Sequence, residues 1–241
     1  MDGGYRLRHS LNFRPDDEVV PGVPFGCPQY VPTPAFWVAL AETEDLDEYS
    51  FTTPPETSLA EEIAFCILGG YGVKMEVNCA VWRELRDAGV FSSARNQSPR
   101  NIELLLRRPI TVNGRRMRYR FPRQRACRLS SALKAIRGET LPLNEPLPLR
   151  AALMKLPGIG PKTASWIVRN WTGSNEVAIL DVHIVRAGQI MGLFPPHVRL
   201  PIDYQALEFR FLDFARAIQV PASLLDALIW REMRILGRRR K

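Results

Sequence analysis

The sequence predicts a mostly α-helical protein, and three of its features support this. Apolar residues recur at helical spacing over most of the chain after residue 57, and glycines end the periodic segments. Hydrophobic residues make up 46% of the 241 positions, which is enough for a core of ordinary size. No apolar run approaches the roughly 20 residues of a membrane-spanning helix, so we expect no membrane partner.

Residues 1–56 are predicted to form an irregular acidic arm laid on the main body, residues 57–241. Eight of the 20 prolines lie in this arm, and proline removes a backbone donor and disfavours helix at the preceding residue. We therefore expect a continuous helix in the arm only around Ala35–Ala41. Residues 1–62 hold three Arg against 12 Asp and Glu, so this end of the chain is acidic.

Local signals predict the elements of the main body. Ser58 stands three residues before Glu61, which is capping-box spacing and predicts a helix that ends near Gly69. Asn113-Gly114 lies between two short runs and predicts a small β-hairpin, with an exposed loop as the alternative. Further helices are predicted at residues 77–88, 123–137, 149–156, 182–191, 204–218 and 221–236.

The positive charge is concentrated in the later part of the chain. Of 33 basic residues only five are lysine, and residues 95–137 hold 12 Arg and one Lys against a single Glu103. Such density suggests a polyanionic partner, most simply nucleic acid. The alternatives are a solubilising surface and, for the last five residues, a disordered basic tail.

Residues 149–171 (LRAALMKLPGIGPKTASWIVRNW) are the most informative segment. A helix is predicted to end at LPG, Gly158-Ile159-Gly160 allows a tight turn, and Pro161 suits the first turn of a second helix. This is a helix-hairpin-helix pattern, which aims backbone N–H groups at one phosphate without reading sequence. The alternative is a simple turn between two helices.

Lys162 follows this turn directly and is the candidate nucleophile. A helix N-terminus disfavours positive charge, which enlarges the neutral fraction of an amine placed there. A neutral amine could attack the C1′ atom of a sugar, expel the base and form a Schiff base. The alternative is a lysine that only contacts phosphate.

Asp181 follows the short apolar run AIL, 19 residues after Lys162. One helix and a reversal fill that interval, so the two side chains can meet. We expect Asp181 to cap the next helix and to face a cleft. There a carboxylate could stabilise positive charge on the sugar, orient the lysine or relay protons, whereas the alternative is a cap without catalysis.

LPGIGPKTASWIVRN followed by AILDVHIVR resembles the helix-hairpin-helix DNA glycosylase superfamily. Lys162 with Asp181 resembles its 8-oxoguanine DNA glycosylase/lyase branch, in the compact archaeal and bacterial type. The resemblance covers about residues 57–241 and implies a two-lobed helical bundle with a pocket between the lobes. It also implies that a damaged base flips out of duplex DNA into this pocket, with Lys162 as nucleophile and Asp181 as the family carboxylate, followed by β-elimination.

Further site residues are predicted around the hairpin, after the first main-body helix and near the C-terminus. The predicted DNA contacts are Gly158, Ile159, Gly160, Thr163, His183, Arg186, Tyr71, Lys74 and Asn78. The resemblance implies a base pocket formed with Trp230 and Lys241.

The resemblance implies that the reaction needs no metal and no organic cofactor, although it allows a monovalent cation at the hairpin. No cysteine lies beyond Cys127, so the C-terminal iron–sulfur cluster of the endonuclease III and adenine-glycosylase branches is not expected. We expect a monomer in the cytoplasm, at the bacterial or archaeal nucleoid. Two alternatives stay open: a glycosylase for another modified base, and a non-catalytic helix-hairpin-helix DNA-binding protein.

Overall fold

The computed structural model describes residues 11–44, 56–70 and 72–238. Two predicted site residues, Tyr71 and Lys241, therefore lie outside the described residues. In the part of the chain that is described, no helix is both long enough and apolar enough to cross a membrane.

Helices form most of the secondary structure, which confirms the predicted fold class. The helices are α1 (Pro34–Thr43), α2 (Leu59–Leu68), α3 (Met75–Asp87), α4 (Pro99–Leu106), α5 (Pro122–Ile136), α6 (Pro146–Leu153), α7 (Pro161–Thr172), α8 (Val182–Ile190), α9 (Tyr204–Ala217) and α10 (Ala222–Arg238). The strands are β1 (Glu18–Val20), β2 (Val23–Pro24), β3 (Ile110–Val112) and β4 (Arg115–Met117), and they form the antiparallel pairs β1–β2 and β3–β4.

Two local predictions are confirmed in atomic detail. The capping box of α2 is complete, because Ser58 Oγ accepts from Glu61 N at 3.3 Å and Glu61 Oε2 accepts from Ser58 N at 2.7 Å. The β3–β4 hairpin turns at Asn113 (φ 50°) and Gly114 (φ 74°), the left-handed conformations that this dipeptide favours. The exposed-loop alternative for this segment is therefore wrong.

The structure differs from the predicted elements in three places. Helix α6 begins at Pro146 rather than at residue 149 and ends at Leu153, because the first turn of a helix tolerates prolines that lack an N–H. Helix α4 was not predicted, although Ser98 Oγ caps it by accepting from Asn101 N at 3.2 Å. The short β1–β2 pair gives the arm regular structure that its proline content did not suggest.

The chain divides into two compact units. We call residues 11–44 with 173–238 the arm unit, and residues 56–70 with 72–172 the hairpin unit. In the arm unit, Val23 and Trp37 are fully buried and belong to one hydrophobic core with residues of α8, α9 and α10. The described part of the predicted arm thus belongs to the same unit as the C-terminal helices. The domain boundary at residue 56 stays a prediction.

In the hairpin unit, α2 packs against α3, α5 and α7, and α6 packs against α7. Two side-chain hydrogen bonds tie this packing to the backbone of α2. Trp82 Nε1 donates to the Glu61 carbonyl at 2.9 Å, and the buried Tyr119 hydroxyl donates to the Leu68 carbonyl at 2.5 Å. Both bonds hold α2, and α2 is the helix against which the hairpin helix α7 rests.

Candidate active site

The predicted helix-hairpin-helix turn is present between α6 and α7. Gly158 has φ +83°, a conformation that side chains other than glycine rarely adopt, and Ile159 N donates to the Leu156 carbonyl at 3.2 Å. Ile159 is buried and anchors the turn, whereas, apart from the adjacent residues of the chain, no atom lies within 4 Å of the position that a Cβ of Gly160 would occupy. The turn therefore keeps open space at Gly160, as a close approach by a phosphate requires.

Lys162 is the second residue of α7, and its half-buried side chain lies against an indole ring. Its Nζ atom is 5.6 Å from the centroid of the Trp166 ring, one helical turn away. The indole is held by an edge-to-face contact with Phe65, with ring centroids 5.9 Å apart, and by Gly69, where a Cβ would lie 3.0 Å from the ring. The sequence reasoning missed Trp166, although its i+4 spacing from Lys162 was a signal.

A partly buried polar cluster lies between α2 and α7, about two helical turns from Lys162. The Glu62 carboxylate accepts from Asn170 Nδ2 at 2.7 Å and from the Cys66 thiol at 3.2 Å. Burial and the negative charge of Glu62 raise the pKa of the Cys66 thiol well above its usual range, although the charges of Arg169 and Lys162 act in the opposite direction. Cys66 is therefore a neutral hydrogen-bond donor rather than a thiolate at neutral pH.

Asp181 lies in the arm unit and caps α8, as predicted. Its Oδ1 atom accepts from His183 N at 2.8 Å and from Ile184 N at 3.1 Å. Its Oδ2 atom has no hydrogen-bond partner among the described residues, so one carboxylate oxygen is available for chemistry. Lys162 belongs to the hairpin unit, and the role of the two residues as a pair stays a prediction.

Three buried side chains from α9 and α10 hold the extended segment that leads to Asp181. Each accepts from a different backbone N–H of this segment, so its polar groups are satisfied inside the arm unit. Sequence reasoning could not find these side chains because they lie at least 24 positions further along the chain. The bonds are Ala178 N to Glu208 Oε1 (2.9 Å), Ile179 N to Asp226 Oδ2 (3.2 Å) and Leu180 N to Tyr204 Oη (3.3 Å).

The remaining predicted contacts of the hairpin unit differ in exposure. Lys74 is exposed at the N-terminus of α3, and Thr163 is half-buried in the first turn of α7. Asn78 is a correction, because its side chain is only 1% exposed and donates to the Phe65 carbonyl at 3.0 Å. A buried amide in this position holds α3 against α2 and cannot touch a DNA strand directly.

The predicted contacts of the arm unit lie on α8 and α10. His183 and Arg186 are half-buried on α8. Trp230 is partly buried against the core of the arm unit, and the guanidinium of Arg234 lies 4.4 Å from its ring centroid. Within the described chain, no three His, Cys, Asp or Glu side chains are placed together to hold a metal ion.

One family model and two solved structures are similar to this chain. A family model described as 8-oxoguanine DNA glycosylase matches residues 42–220. The 8-oxoguanine DNA glycosylase of Thermotoga maritima has 24% identity and a TM-score of 0.54, with 71% of this chain and 77% of that chain covered. A second solved structure is the 8-oxoguanine glycosylase/lyase of Methanocaldococcus jannaschii in complex with a 15mer DNA containing 8-oxoguanine. It has 22% identity and a TM-score of 0.59, with 81% of this chain and 94% of that chain covered. No curated protein matches the chain.

Proposed function

Since this chain belongs to the 8-oxoguanine DNA glycosylase family, we propose that Lys162 is the nucleophile and Asp181 the charge-stabilising carboxylate of a glycosylase/lyase reaction. The protein is a DNA glycosylase, and its substrate is 8-oxoguanine in duplex DNA. The observation that carries the residue assignment is the position of Lys162. It is the second residue of α7, directly after the hairpin turn, and its side chain is half-buried.

The first step breaks the bond between the sugar and the damaged base. The neutral amine of Lys162 attacks C1′ of the flipped-out nucleotide, and the base leaves with the bonding electrons and takes up a proton. Positive charge develops on the sugar as the C1′–N9 bond lengthens, and the Oδ2 atom of Asp181 has no partner that would compete for it. The proposed role of Asp181 is therefore to stabilise this positive charge on the sugar.

The second step opens the sugar ring and nicks the strand. The nitrogen of Lys162 loses a proton and forms a Schiff base with C1′, while the ring oxygen leaves with the electrons of the C1′–O4′ bond and takes up a proton. Loss of a proton from C2′ then expels the 3′ phosphate in a β-elimination, and water hydrolyses the imine to release the lysine. These bond-breaking and bond-forming steps require no electron acceptor and no organic cofactor.

The hairpin unit supplies the binding surface that such a substrate needs. Residues 53–172 hold 20 basic against nine acidic residues, which fits the phosphates of duplex DNA. We propose that the protein acts as a monomer on chromosomal DNA, in the cytoplasm at the nucleoid. A monovalent cation at the hairpin would be held by backbone carbonyl oxygens of the turn between α6 and α7 and would add positive charge there.

Borohydride trapping on a duplex with a single 8-oxoguanine tests the residue assignment. The wild type is expected to form a covalent protein–DNA complex, because borohydride reduces the Schiff base to a stable amine. Lys162→Gln is expected to form none, whereas Lys155→Gln, which removes a lysine from the other side of the turn, serves as the matched control and is expected to trap normally. Equal trapping by wild type and Lys162→Gln, or none by either, would falsify the mechanism.

The base excised is tested with the same assay on a panel of single-lesion duplexes. We expect 8-oxoguanine to be cleaved faster than any other modified base in the panel. Efficient cleavage of a different base alone would replace the substrate and leave the roles of Lys162 and Asp181 intact.

A further inference from the structure

Two arginines of the hairpin unit lie close together and lack an anionic partner. Arg125 and Arg128 stand three positions apart on α5, so their side chains share one face of the helix. Both are half-buried. Neither forms an ion pair or a hydrogen bond to a carboxylate within the described residues, and the Arg125 Nε atom is buried without any hydrogen-bond partner.

The surroundings of Arg125 disfavour its charge. Burial lowers the pKa of Arg125, and the neighbouring charge of Arg128 lowers it too, although Tyr119 acts in the opposite direction. The guanidinium carbon lies 6.0 Å from the ring centroid of Phe121, and an Nη atom lies 3.9 Å from the position of a Gly70 Cβ. A positive charge is thus partly shielded from water between an aromatic ring and Gly70.

The side chain of Arg128, the neighbour of Arg125 on α5, lies against the hairpin turn. A Cβ on Gly158 would lie 2.6 Å from Arg128 Cγ and 2.7 Å from its Cδ, so the stem of the arginine lies directly on the glycine. Gly158 therefore has two reasons to be glycine, its positive φ and this contact. The contact places Arg128 beside the turn whose N–H groups are expected to receive a phosphate.

Two other arginines of the hairpin unit form ion pairs with carboxylates, as is typical of arginines that support the fold. Arg107 pairs with Glu103 at 2.7 Å, and Arg86 pairs with Glu61 at 2.9 Å. Two like charges that are partly removed from water and left without a carboxylate reduce the stability of the free protein unless an anion joins them. The combination of partial burial, no carboxylate among the described residues and a position beside the hairpin turn favours a ligand for this pair.

We propose that Arg125 and Arg128 form a binding site for a phosphodiester group of the DNA backbone, next to the phosphate received by the hairpin turn. The proposal rests on the proposed function, because it takes duplex DNA as the partner. The ligand is a phosphodiester because guanidinium groups match phosphate oxygens and because this unit carries the excess of positive charge. The site positions the strand and reads no base.

The test compares Arg125→Met and Arg128→Met with Arg107→Met, which removes the same charge from an arginine that already has a partner. Dissociation constants are measured for an undamaged duplex and for an 8-oxoguanine duplex at several KCl concentrations. Each of the first two variants is expected to bind both duplexes about tenfold more weakly at low salt. Each is also expected to reduce the slope of log Kd against log salt by about one. Arg107→Met is expected to change neither by a measurable amount.

Two further measurements separate a ligand site from a structural role. The melting temperature of free Arg125→Met should equal or exceed that of the wild type, because the variant removes a poorly solvated charge. Arg125→Lys, which keeps a charge, should retain part of the salt slope. A lower melting temperature together with an unchanged slope would assign Arg125 to the fold and overturn the proposal.

Different results would contradict the proposed phosphate site and the proposed lysine mechanism. If wild type and Arg128→Met show the same salt slope, the phosphate site is wrong and the lysine mechanism stands. If the wild type binds DNA with the expected slope but gives no borohydride-trapped complex, the mechanism is wrong and the phosphate site stands.

Discussion

The two units of this protein differ in net charge and in the partners of their partly or fully buried charged side chains. The hairpin unit carries a net charge of +11 over residues 53–172, whereas the rest of the chain carries −3. In the arm unit, buried Glu208 and Asp226 face inward and accept backbone N–H groups. In the hairpin unit, Arg125 and Arg128 lack any carboxylate in the described chain. These two buried carboxylates support the fold of the arm unit, whereas the proposed role of the two arginines is to bind a phosphate.

The contrast extends to the two candidate reaction residues. Asp181 is held by its own helix, through the cap of α8, and by the backbone segment before it. The side chain of Lys162 lies against another side chain, the indole of Trp166. We therefore expect substitutions of the side chains that hold the segment before Asp181 to affect stability, and substitutions of the side chains around Lys162 to affect the reaction first.

The largest expected effect in the arm unit is that of Asp181→Asn. Asparagine caps a helix about as well as aspartate, so the melting temperature should stay close to that of the wild type. Loss of the negative charge removes electrostatic stabilisation of the sugar and should lower the single-turnover excision rate by about 10²-fold. Gel analysis of alkali-treated product measures this rate. A rate within threefold of the wild type would leave Asp181 with its capping role alone.

The next largest effect is expected from Glu208→Leu, which tests whether charge in the arm unit supports the fold. It leaves the N–H of Ala178 buried without an acceptor and should reduce the free energy of unfolding by about 1–3 kcal/mol. Urea unfolding followed by circular dichroism measures the loss. Glu208→Gln is the matched control, because its amide oxygen can still accept the bond, and it should cost less. Equal stability of Glu208→Leu and wild type would contradict the contrast between the units.

A smaller effect is expected from Trp166→Leu. Loss of the ring that positions the Lys162 side chain should lower the single-turnover rate two- to fivefold, equivalent to about 0.5–1 kcal/mol. Trp166→Phe keeps an aromatic face and should recover part of the loss. If phenylalanine and leucine behave alike while both proteins remain folded, the ring only fills space.

The smallest expected effect is a pH dependence of stability in the hairpin unit. Burial raises the pKa of Cys66 above that of an unfolded thiol, about 8.5, so the folded state retains the proton longer. The stabilisation is therefore complete below about pH 8.5 and is lost as the pH rises towards the raised value. Urea unfolding from pH 7 to 10 should show that the free energy of unfolding falls less steeply for Cys66→Ala than for the wild type. For Cys127→Ala, which changes an exposed thiol, it should fall as steeply as for the wild type.

Much of the fold was predictable from the sequence, because its signals are local. The Ser58 capping box, the Asn113-Gly114 turn and the glycine turn before Pro161 each specify backbone geometry within a few residues. The positions of Lys162 at a helix start and of Asp181 at a helix cap follow from the same kind of signal. These residues could therefore be singled out without coordinates.

What only the tertiary structure decided depends on contacts between distant parts of the chain. In the sequence, Glu208 and Asp226 cannot be distinguished from acidic residues on the surface of a helix. Only the packing of α9 and α10 places them against the segment before Asp181. The sequence predicted Asn78 as a DNA contact on the surface, but the packing of α3 on α2 buries it. Arg125 and Arg128 are two of 28 arginines, and packing decides which of these have a carboxylate within reach. Sequence spacing determines the neighbours along one helix, whereas desolvation and pairing depend on the neighbours that the fold supplies.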